Sequence, residues 1–170
     1  MKKSLNKIYV IVPSAGIGTR FKSEVPKQYA EINGVSILEK TINHFLNLEI
    51  FEKIIIPIST EDNFFEKLSV SKHKKIIKVN GGSTRSESVM SALEYIKENS
   101  LVVVHDAVRP YIHQKEIKFL VESFNPGEED ILAYGVPVYE ALKKINQENL
   151  FVKKSVDRNK FYLAQTPQIT

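Results

Sequence analysis

Residues 8–20 read I-Y-V-I-V-P-S-A-G-I-G-T-R, and this stretch indicates the fold class. Its first part, Ile8–Pro13, is a short run of β-branched and aromatic residues with the length of one buried strand. The small residues that follow are Ser14, Ala15, Gly16 and Gly18. A loop of small residues exposes backbone N–H groups that can bind phosphate oxygens. The stretch therefore predicts an α/β protein with an anion site where the strand ends.

The rest of the chain repeats this alternation of short apolar runs and amphipathic stretches. Further strands are predicted at Lys53–Ile58, Lys75–Val79, Leu101–His105 and Ile131–Val136. Capping boxes at 36–39 and 84–87 predict helices that run to Leu46 and Lys97, and a weaker helix follows Gln114 to about Phe124. The pattern predicts one α/β domain over residues 1–170, with a mostly parallel sheet and crossover helices.

Residues 137–158 do not follow this alternation. The stretch Pro137–Ile145 fits either an extended hairpin arm or a short helix, because its periodicity does not distinguish them. The chain then ends at Thr170 directly after Q-T-P-Q-I, without a helix stop or a polar tail. We therefore expect it to be truncated at its carboxyl end.

Composition limits the class of protein. Hydrophobic residues make up 42% and charged residues 26%, which is ordinary for a globular protein. The chain has no cysteine, which excludes disulfides, zinc–thiolate sites and thiol nucleophiles. The first apolar run, Ile8 to Val12, is too short for a signal peptide or a membrane span, so we expect a cytoplasmic protein without membrane contact.

The charges are unevenly divided between lysine and arginine. The net charge is +4, and lysines are scattered without the basic, aromatic stripe that nucleic-acid binding favours, so no nucleic-acid partner is expected. Arginine, which binds phosphate in two-point fashion, occurs beside loop signals at Arg20, Arg85, Arg109 and Arg158. The four histidines show no metal-ligand spacing and are expected to be structural or exposed.

The first loop does not fit the two best-known phosphate motifs. A dinucleotide fingerprint would need a third glycine where Phe21 stands, and Pro26 would interrupt its helix. A phosphate-loop NTPase is excluded because no G-x-x-x-x-G-K-[ST] occurs. Arg20 and Lys27 add positive charge to the loop, although an ordinary turn beside a surface lysine explains it equally well when it is taken alone.

Further motifs follow later strands. N-G-G-S-T-R-S-E-S-V at 80–89 puts Gly82 before a capped helix and Ser88 on its first turn. V-H-D-A-V-R-P at 104–110 puts Asp106 where α/β sheets bind ligands, and such a carboxylate suits Mg²⁺ that bridges nucleotide phosphates. A turn with an N-cap explains the first equally well, and an Asp–Arg pair that fixes a loop explains the second.

The order of the motifs is more specific than any one of them. P-S-A-G-I-G-T-R-F…P-K-Q-Y, G-G-S-T-R-S-E-S-V, V-H-D-A-V-R-P, V-D-R-N and Q-T-P-Q together resemble the 2-C-methyl-D-erythritol 4-phosphate cytidylyltransferase family of the non-mevalonate isoprenoid pathway. The resemblance covers Ile8 to Gln168. It implies a Rossmann-like nucleotidyltransferase domain that uses Mg²⁺ to transfer CMP from CTP to a polyol phosphate. It also implies a homodimer, in which an arm of about residues 137–158 completes the partner's substrate site.

The resemblance also implies roles for individual residues. Arg20 and Lys27 would act on the CTP phosphates as the catalytic cations. The residues that would bind CTP are Ser14, Ala15, Gly16, Gly18, Gly82, Ser88 and Asp106, with Gly82 and Ser88 at the cytosine and Asp106 also holding the metal. The residues that would bind the acceptor are Arg109, Arg158 and Thr166.

The chain departs from the family pattern in two places. The family arm usually reads P-V-x-D-T-[ILM]-K, whereas here Glu140 and Ala141 replace the aspartate and the threonine that contacts the acceptor. A lost hydrogen bond of this kind costs about 1 kcal/mol when water replaces it. Family members also continue past Thr170 and carry a further phosphate-binding lysine there. We therefore expect the 170-residue chain to fold but to be weakly active or inactive.

Other functions stay open at this point. A relative of the family makes CDP-ribitol, so ribitol 5-phosphate or another polyol phosphate is an alternative acceptor. A non-catalytic nucleotide-binding protein with the same fold is a second alternative, although the presence of both Arg20 and Lys27 argues against it. A sugar-nucleotide glycosyltransferase would need a D-x-D metal pair, and the sequence contains none.

Overall fold

The structure is a computed structural model that describes residues 7–16, 25–97 and 99–170. In chain order, the strands are β1 Ile8–Ile11, β2 Glu31–Ile32, β3 Val35–Ser36, β4 Phe51–Ile58, β5 Ile76–Asn80, β6 Leu101–Val104, β7 Leu132–Pro137, β8 Leu142–Ile145, β9 Val152–Val156 and β10 Tyr162–Ile169. Within the described residues, six strands form the main sheet in the order β5-β4-β1-β6-β10-β7. β2 pairs with β3 and β8 with β9 in separate antiparallel hairpins.

Most of the main sheet is parallel. β1 pairs in parallel with β4 and β6, and β4 pairs in parallel with β5. The carboxyl ends of these strands therefore lie along one edge of the sheet, where α/β proteins bind ligands. The five strands expected from the sequence are confirmed within a few residues. β10 runs antiparallel to β6 and β7, and no strand was expected in this segment from the sequence.

The helices are α1 Ile37–Leu46, α2 Arg85–Leu93 and α3 Gln114–Ser123. Thr84 and Glu87 form the expected capping box of α2, with the Thr84 hydroxyl accepting from the Glu87 N–H at 3.1 Å. At α1, Ser36 caps the helix as expected, but the Glu39 carboxylate accepts from the Ser69 hydroxyl.

The expectation that α2 reaches Lys97 is wrong, because the helix ends at Leu93. The N–H groups of Tyr95 and Ile96 bond to carbonyls only three residues back, at 3.1 and 3.0 Å. The last turn thus tightens out of α-helical geometry, which is a common way to end a helix.

The sheet is buried on both faces. Alternate residues of β1 and β4 point to opposite sides, so that Val10 and Ile54 lie in one cluster and Ile11 and Ile55 in the other. The larger cluster also contains residues of α1 and α3, namely Leu38, Ile42, Phe45, Ile117 and Leu120. The smaller one contains Ala92 of α2. Helices thus pack on both faces of the sheet and hold the ends of its strands in place.

The stretch that fitted either a helix or a hairpin is a hairpin. β8 and β9 pair antiparallel, from Leu142 opposite Val156 to Ile145 opposite Val152. The turn between them is closed by the Asn146 N–H, which donates to the Phe151 carbonyl at 2.8 Å. Among the described residues, no helix is both long and apolar enough to cross a membrane.

Candidate functional site

The loop after β1 is held by the segment that carries Lys27. Beyond the strand, the Ser14 N–H donates to the Pro57 carbonyl at 2.8 Å. The side-chain amide of buried Gln28 donates to the carbonyls of Ser14 and Gly16, at 2.9 and 3.0 Å. Gln28 therefore fixes the loop, and its neighbour Lys27 is exposed beside it. Gln28 belongs to the P-K-Q-Y motif, but no role was expected for it from the sequence.

The loop after β5 packs directly against the first loop. A Cβ on Gly81 would lie 2.5 Å from the Cβ of Ala15 and 3.0 Å from the Ser88 hydroxyl oxygen. Real Cβ contacts are not this short, so the approach of the two loops requires glycine at this position. The two loops of small residues predicted from the sequence thus lie side by side.

Ser88 is buried within the second loop. Its hydroxyl accepts from the Gly82 N–H at 3.1 Å and donates to the Thr84 carbonyl at 2.9 Å. Nearby, the Glu87 carboxylate accepts from the Ser83 N–H at 2.7 Å and from the Ser83 hydroxyl at 2.7 Å, and these bonds lower the pKa of Glu87. Ser88 therefore holds the shape of the Gly82 loop.

Asp106 lies at the end of β6 between two arginines. Arg85 donates to its Oδ1 from Nε and Nη2, each at 3.0 Å, and Arg109 donates to its Oδ2 from Nε at 3.0 Å. The Asp106 side chain is 28% exposed. The Asp–Arg pair considered from the sequence is therefore present. Arg85 was expected beside a loop but without a role, since its partner lies 21 residues away in the sequence.

Strand β10 adds residues from the end of the chain to this site. The Asp106 N–H donates to the Thr166 hydroxyl at 3.2 Å, and the Arg109 guanidinium donates to the Gln165 side chain. Thr166 and Arg109 are thus close together, as expected for residues with a shared ligand.

A cavity of about 320 Å³ opens between these loops. Its lining consists of Pro13, Ser14, Gly16, Lys27, Gln28, Arg85, Asp106, Ala107 and Val108. A smaller adjoining space of about 160 Å³ is lined by residues that include Ala15, Gly82 and Ser88. Most of the described residues predicted to bind the nucleotide therefore line these two adjoining spaces, which share Pro13, Gly16 and Arg85. Their cationic groups, Lys27 and Arg85, suit an anionic ligand.

A further cavity, of about 520 Å³, is lined by the neighbouring residues His105, Val108 and Arg109. Arg109 and Thr166 line it together with His105, Tyr134 and Gln165. Arg158 is not among its lining residues; it lies beside the hairpin, where its guanidinium donates to the Tyr139 carbonyl. Gly18 and Arg20 lie outside the described residues.

A metal ion would meet one carboxylate here. The described residues contain no group of three or more His, Cys, Asp or Glu side chains arranged to hold a metal. Asp106 is the acidic residue that lines the 320 Å³ cavity. Since Mg²⁺ commonly binds one or two carboxylates plus substrate phosphates, an ion that arrives with a nucleotide would share the Asp106 oxygens with Arg85 and Arg109, which already donate to them.

Comparison with known proteins identifies the family. The sequence model of the 2-C-methyl-D-erythritol 4-phosphate cytidylyltransferase family matches residues 8–170. A relative of that name from Wigglesworthia glossinidia brevipalpis is 40% identical over 163 residues, which are 96% of this chain and 70% of the relative. Another, from Vibrio vulnificus (strain CMCP6), is 35% identical over 99% of this chain and 72% of its own length. This chain belongs to that family.

Solved structures of the family have the same fold. The cytidylyltransferase from Francisella tularensis matches with a TM-score of 0.78 and 36% identity, over 96% of this chain and 72% of that one. The family resemblance seen in the motifs is therefore confirmed, as is the mostly parallel α/β fold. As a member of this cytidylyltransferase family, the chain is a nucleotidyltransferase.

Proposed function

We propose that the protein transfers CMP from CTP to 2-C-methyl-D-erythritol 4-phosphate and releases pyrophosphate. The observation that carries the proposal is the 320 Å³ cavity, where two loops of small residues meet beside Lys27, Arg85 and Asp106. In this proposal the sheet and its helices act as one cytidylyltransferase domain in the cytoplasm.

The reaction needs positioning and charge neutralisation more than it needs a nucleophilic side chain. The acceptor phosphate attacks the α-phosphorus of CTP in line, the bond to the β-phosphate oxygen breaks, and pyrophosphate leaves. Two anions must approach each other, so cations beside the α-phosphate lower the barrier. Lys27, exposed at the cavity, takes this role together with Arg20.

The nucleotide would lie across both loops. Backbone N–H groups of Ala15, Gly16 and Gly18 bind the phosphates, and the Gly82 loop contacts the cytosine. The N–H of Ser14, which was also expected to bind CTP, already donates to the Pro57 carbonyl, so Ser14 shapes the loop instead. The hydroxyl of Ser88 supports this contact by holding the Gly82 N–H. Asp106 would hold Mg²⁺ through a carboxylate oxygen, and the metal would stabilise the charge on the phosphate oxygens.

The acceptor would occupy the neighbouring cavity of about 520 Å³, with its phosphate at Arg109 and Thr166. Arg158 would act from the hairpin of a second copy, because in its own chain it lies away from that cavity. The exposed apolar residues of the hairpin support such a homodimer. Leu150 is 70% and Phe151 is 73% exposed, and exposed apolar patches often mark interfaces.

Pyrophosphate release tests the proposal directly. The protein is incubated with CTP, Mg²⁺ and either 2-C-methyl-D-erythritol 4-phosphate or ribitol 5-phosphate, and CTP binding is measured separately by calorimetry. We expect release with the methylerythritol phosphate, at a low rate in keeping with the weak activity expected from the sequence. Release with ribitol 5-phosphate alone would overturn the choice of acceptor, and CTP binding without release in either case would favour the non-catalytic alternative.

The variant Lys27→Ala separates catalysis from binding. We expect turnover to fall by about 10²- to 10³-fold while the Kd for CTP changes much less, because the charge acts mainly on the transition state. Lys115→Ala removes the same charge from an exposed position of α3, away from the cavity, and should leave both values unchanged. Equal losses of turnover and CTP affinity in Lys27→Ala would argue for a binding protein.

A further inference from the structure

The turn after β6 carries both Asp106 and Arg109, and side chains hold three of its carbonyl oxygens. The hydroxyl oxygen of Thr41 lies 3.0 Å from the Ala107 carbonyl oxygen and 2.9 Å from the Ile37 carbonyl oxygen of its own helix, so its single proton is shared between the two. Nε2 of His105 donates to the Arg109 carbonyl at 3.0 Å, and Nε2 of His44 donates to the Pro110 carbonyl at 2.7 Å. We refer to Thr41, His44 and His105 as the carbonyl clamp.

The clamp connects α1 with the site. Thr41 and His44 are one turn apart on α1, so both face the turn. Thr41 is fully buried, and α1 is anchored through Leu38, Ile42 and Phe45 in the core. Because α1 is fixed in the core, its hydrogen bonds to the turn also fix the backbone beside Arg109.

The imidazoles of His44 and His105 each donate a hydrogen bond from Nε2 to the turn. A carbonyl oxygen only accepts hydrogen bonds, so Nε2 of each histidine must carry the proton. His105 is fully buried and packs edge-on against Phe45, with 5.3 Å between ring centroids. Its Nδ1 has no hydrogen-bond partner among the described residues, and burial lowers the pKa of this histidine. His105 is thus held neutral, with its one N–H used on the turn.

The turn positions the side chains on both sides of the site. The Arg109 N–H also donates to the Asp106 carbonyl at 3.2 Å, so a backbone hydrogen bond closes the turn between these two residues. From this backbone, the Asp106 side chain lines the cavity of about 320 Å³ and the Arg109 side chain lines the cavity of about 520 Å³. A shift of the turn would therefore displace the Arg109 guanidinium from an acceptor phosphate. Errors of about 1 Å in such placement cost large factors in rate.

We propose that Thr41 and His44 are positioning residues for the transfer reaction, and that they act by holding the turn from which Arg109 reaches the acceptor. The inference rests on the proposed function. Neither residue lines the two cavities beside Asp106, so each acts through the backbone and not on substrate.

The experiment compares variants that remove the donor with variants that keep one. His44→Leu and Thr41→Val remove the hydrogen bond with little change in volume, whereas His44→Gln and Thr41→Ser retain a donor. We expect the KM for the acceptor to rise about 3- to 10-fold in the first pair, as for the loss of one hydrogen bond, with the Kd for CTP changed less than about 2-fold. The second pair should recover most of the loss.

Amide hydrogen exchange of residues 106–109 provides a readout that needs no turnover. Exchange there should become faster in His44→Leu and stay near the wild-type rate in His44→Gln. An unchanged acceptor KM with unchanged exchange, or an equal loss of CTP and acceptor affinity, would overturn the clamp. A wild-type protein that releases no pyrophosphate, while His44→Leu still loosens the turn, would instead contradict the proposed function alone.

Discussion

The loops at the strand ends and the hairpin β8–β9 are held in opposite ways. The loops are tied to the core by buried polar side chains, among them Gln28, Thr41 and Ser88. The hairpin is joined to its surroundings by exposed contacts, such as that from Arg158 to the Tyr139 carbonyl, and it leaves Leu150 and Phe151 mostly exposed. An isolated two-stranded hairpin is marginally stable in water. The comparison indicates that the two loops are held by contacts within the chain, whereas the hairpin leaves apolar side chains exposed.

The largest effect is expected from a substitution that pushes the two loops of small residues apart. Gly81→Ala places a methyl group 2.5 Å from the Ala15 Cβ, so a loop must shift. We expect the free energy of unfolding to fall by about 1–3 kcal/mol, as for overpacking elsewhere, and CTP binding to be largely lost. Thermal unfolding and calorimetry measure the two effects.

Gly16→Ala is the matched control. A Cβ at Gly16 meets nothing within 4 Å, since this residue faces the cavity. Gly16→Ala should leave the melting temperature unchanged but lower CTP affinity, because the added methyl group occupies part of the cavity proposed to bind CTP. Equal stability of the two variants would contradict the steric account of Gly81.

The hairpin is tested by a charge on its apolar surface. Phe151→Asp should weaken self-association on the order of 10-fold or more, because a charge is costly in an interface core, and should leave the Kd for CTP unchanged. Analytical ultracentrifugation over a range of protein concentrations measures the effect. Lys153→Ser, an exposed change on β9 two residues away, should leave association as it is. Unaltered association in Phe151→Asp would remove the hairpin from the proposed interface.

The smallest expected effect concerns pH and the second loop. Hydrogen bonds from Ser83 lower the pKa of Glu87 in the folded protein, so their contribution is present above the ordinary carboxyl pKa and is lost as the pH falls through the lowered value. Glu87→Gln should reduce the protection of the Ser83 and Thr84 amides at neutral pH. The difference from wild type should shrink with acidification. Hydrogen exchange at matched pH checks this, and a difference that grows toward low pH would contradict it.

Local patterns in the sequence were sufficient for most of the sheet and for the starts of the helices. Strands β1 and β4 follow from short β-branched runs, and Ser36 and Thr84 mark helix starts because their side chains cap the first turn. The end of α2 could not be predicted, because no glycine or proline marks it. The order of the motifs along the chain was also sufficient to indicate the family.

Contacts between distant residues depended on the tertiary structure. Arg85 meets Asp106 across 21 residues and Thr166 meets the same residue across 60, and neither pair has a local pattern. The role of Ser88 inside its loop and the carbonyl clamp also depend on how the helices pack on the sheet. The sequence by itself determined which segments form strands, caps and small-residue loops, since these follow from short-range sterics and hydrogen bonding. Only the packing of the core decided which side chains from separate segments share the edge of the sheet, because that choice depends on strand order and burial.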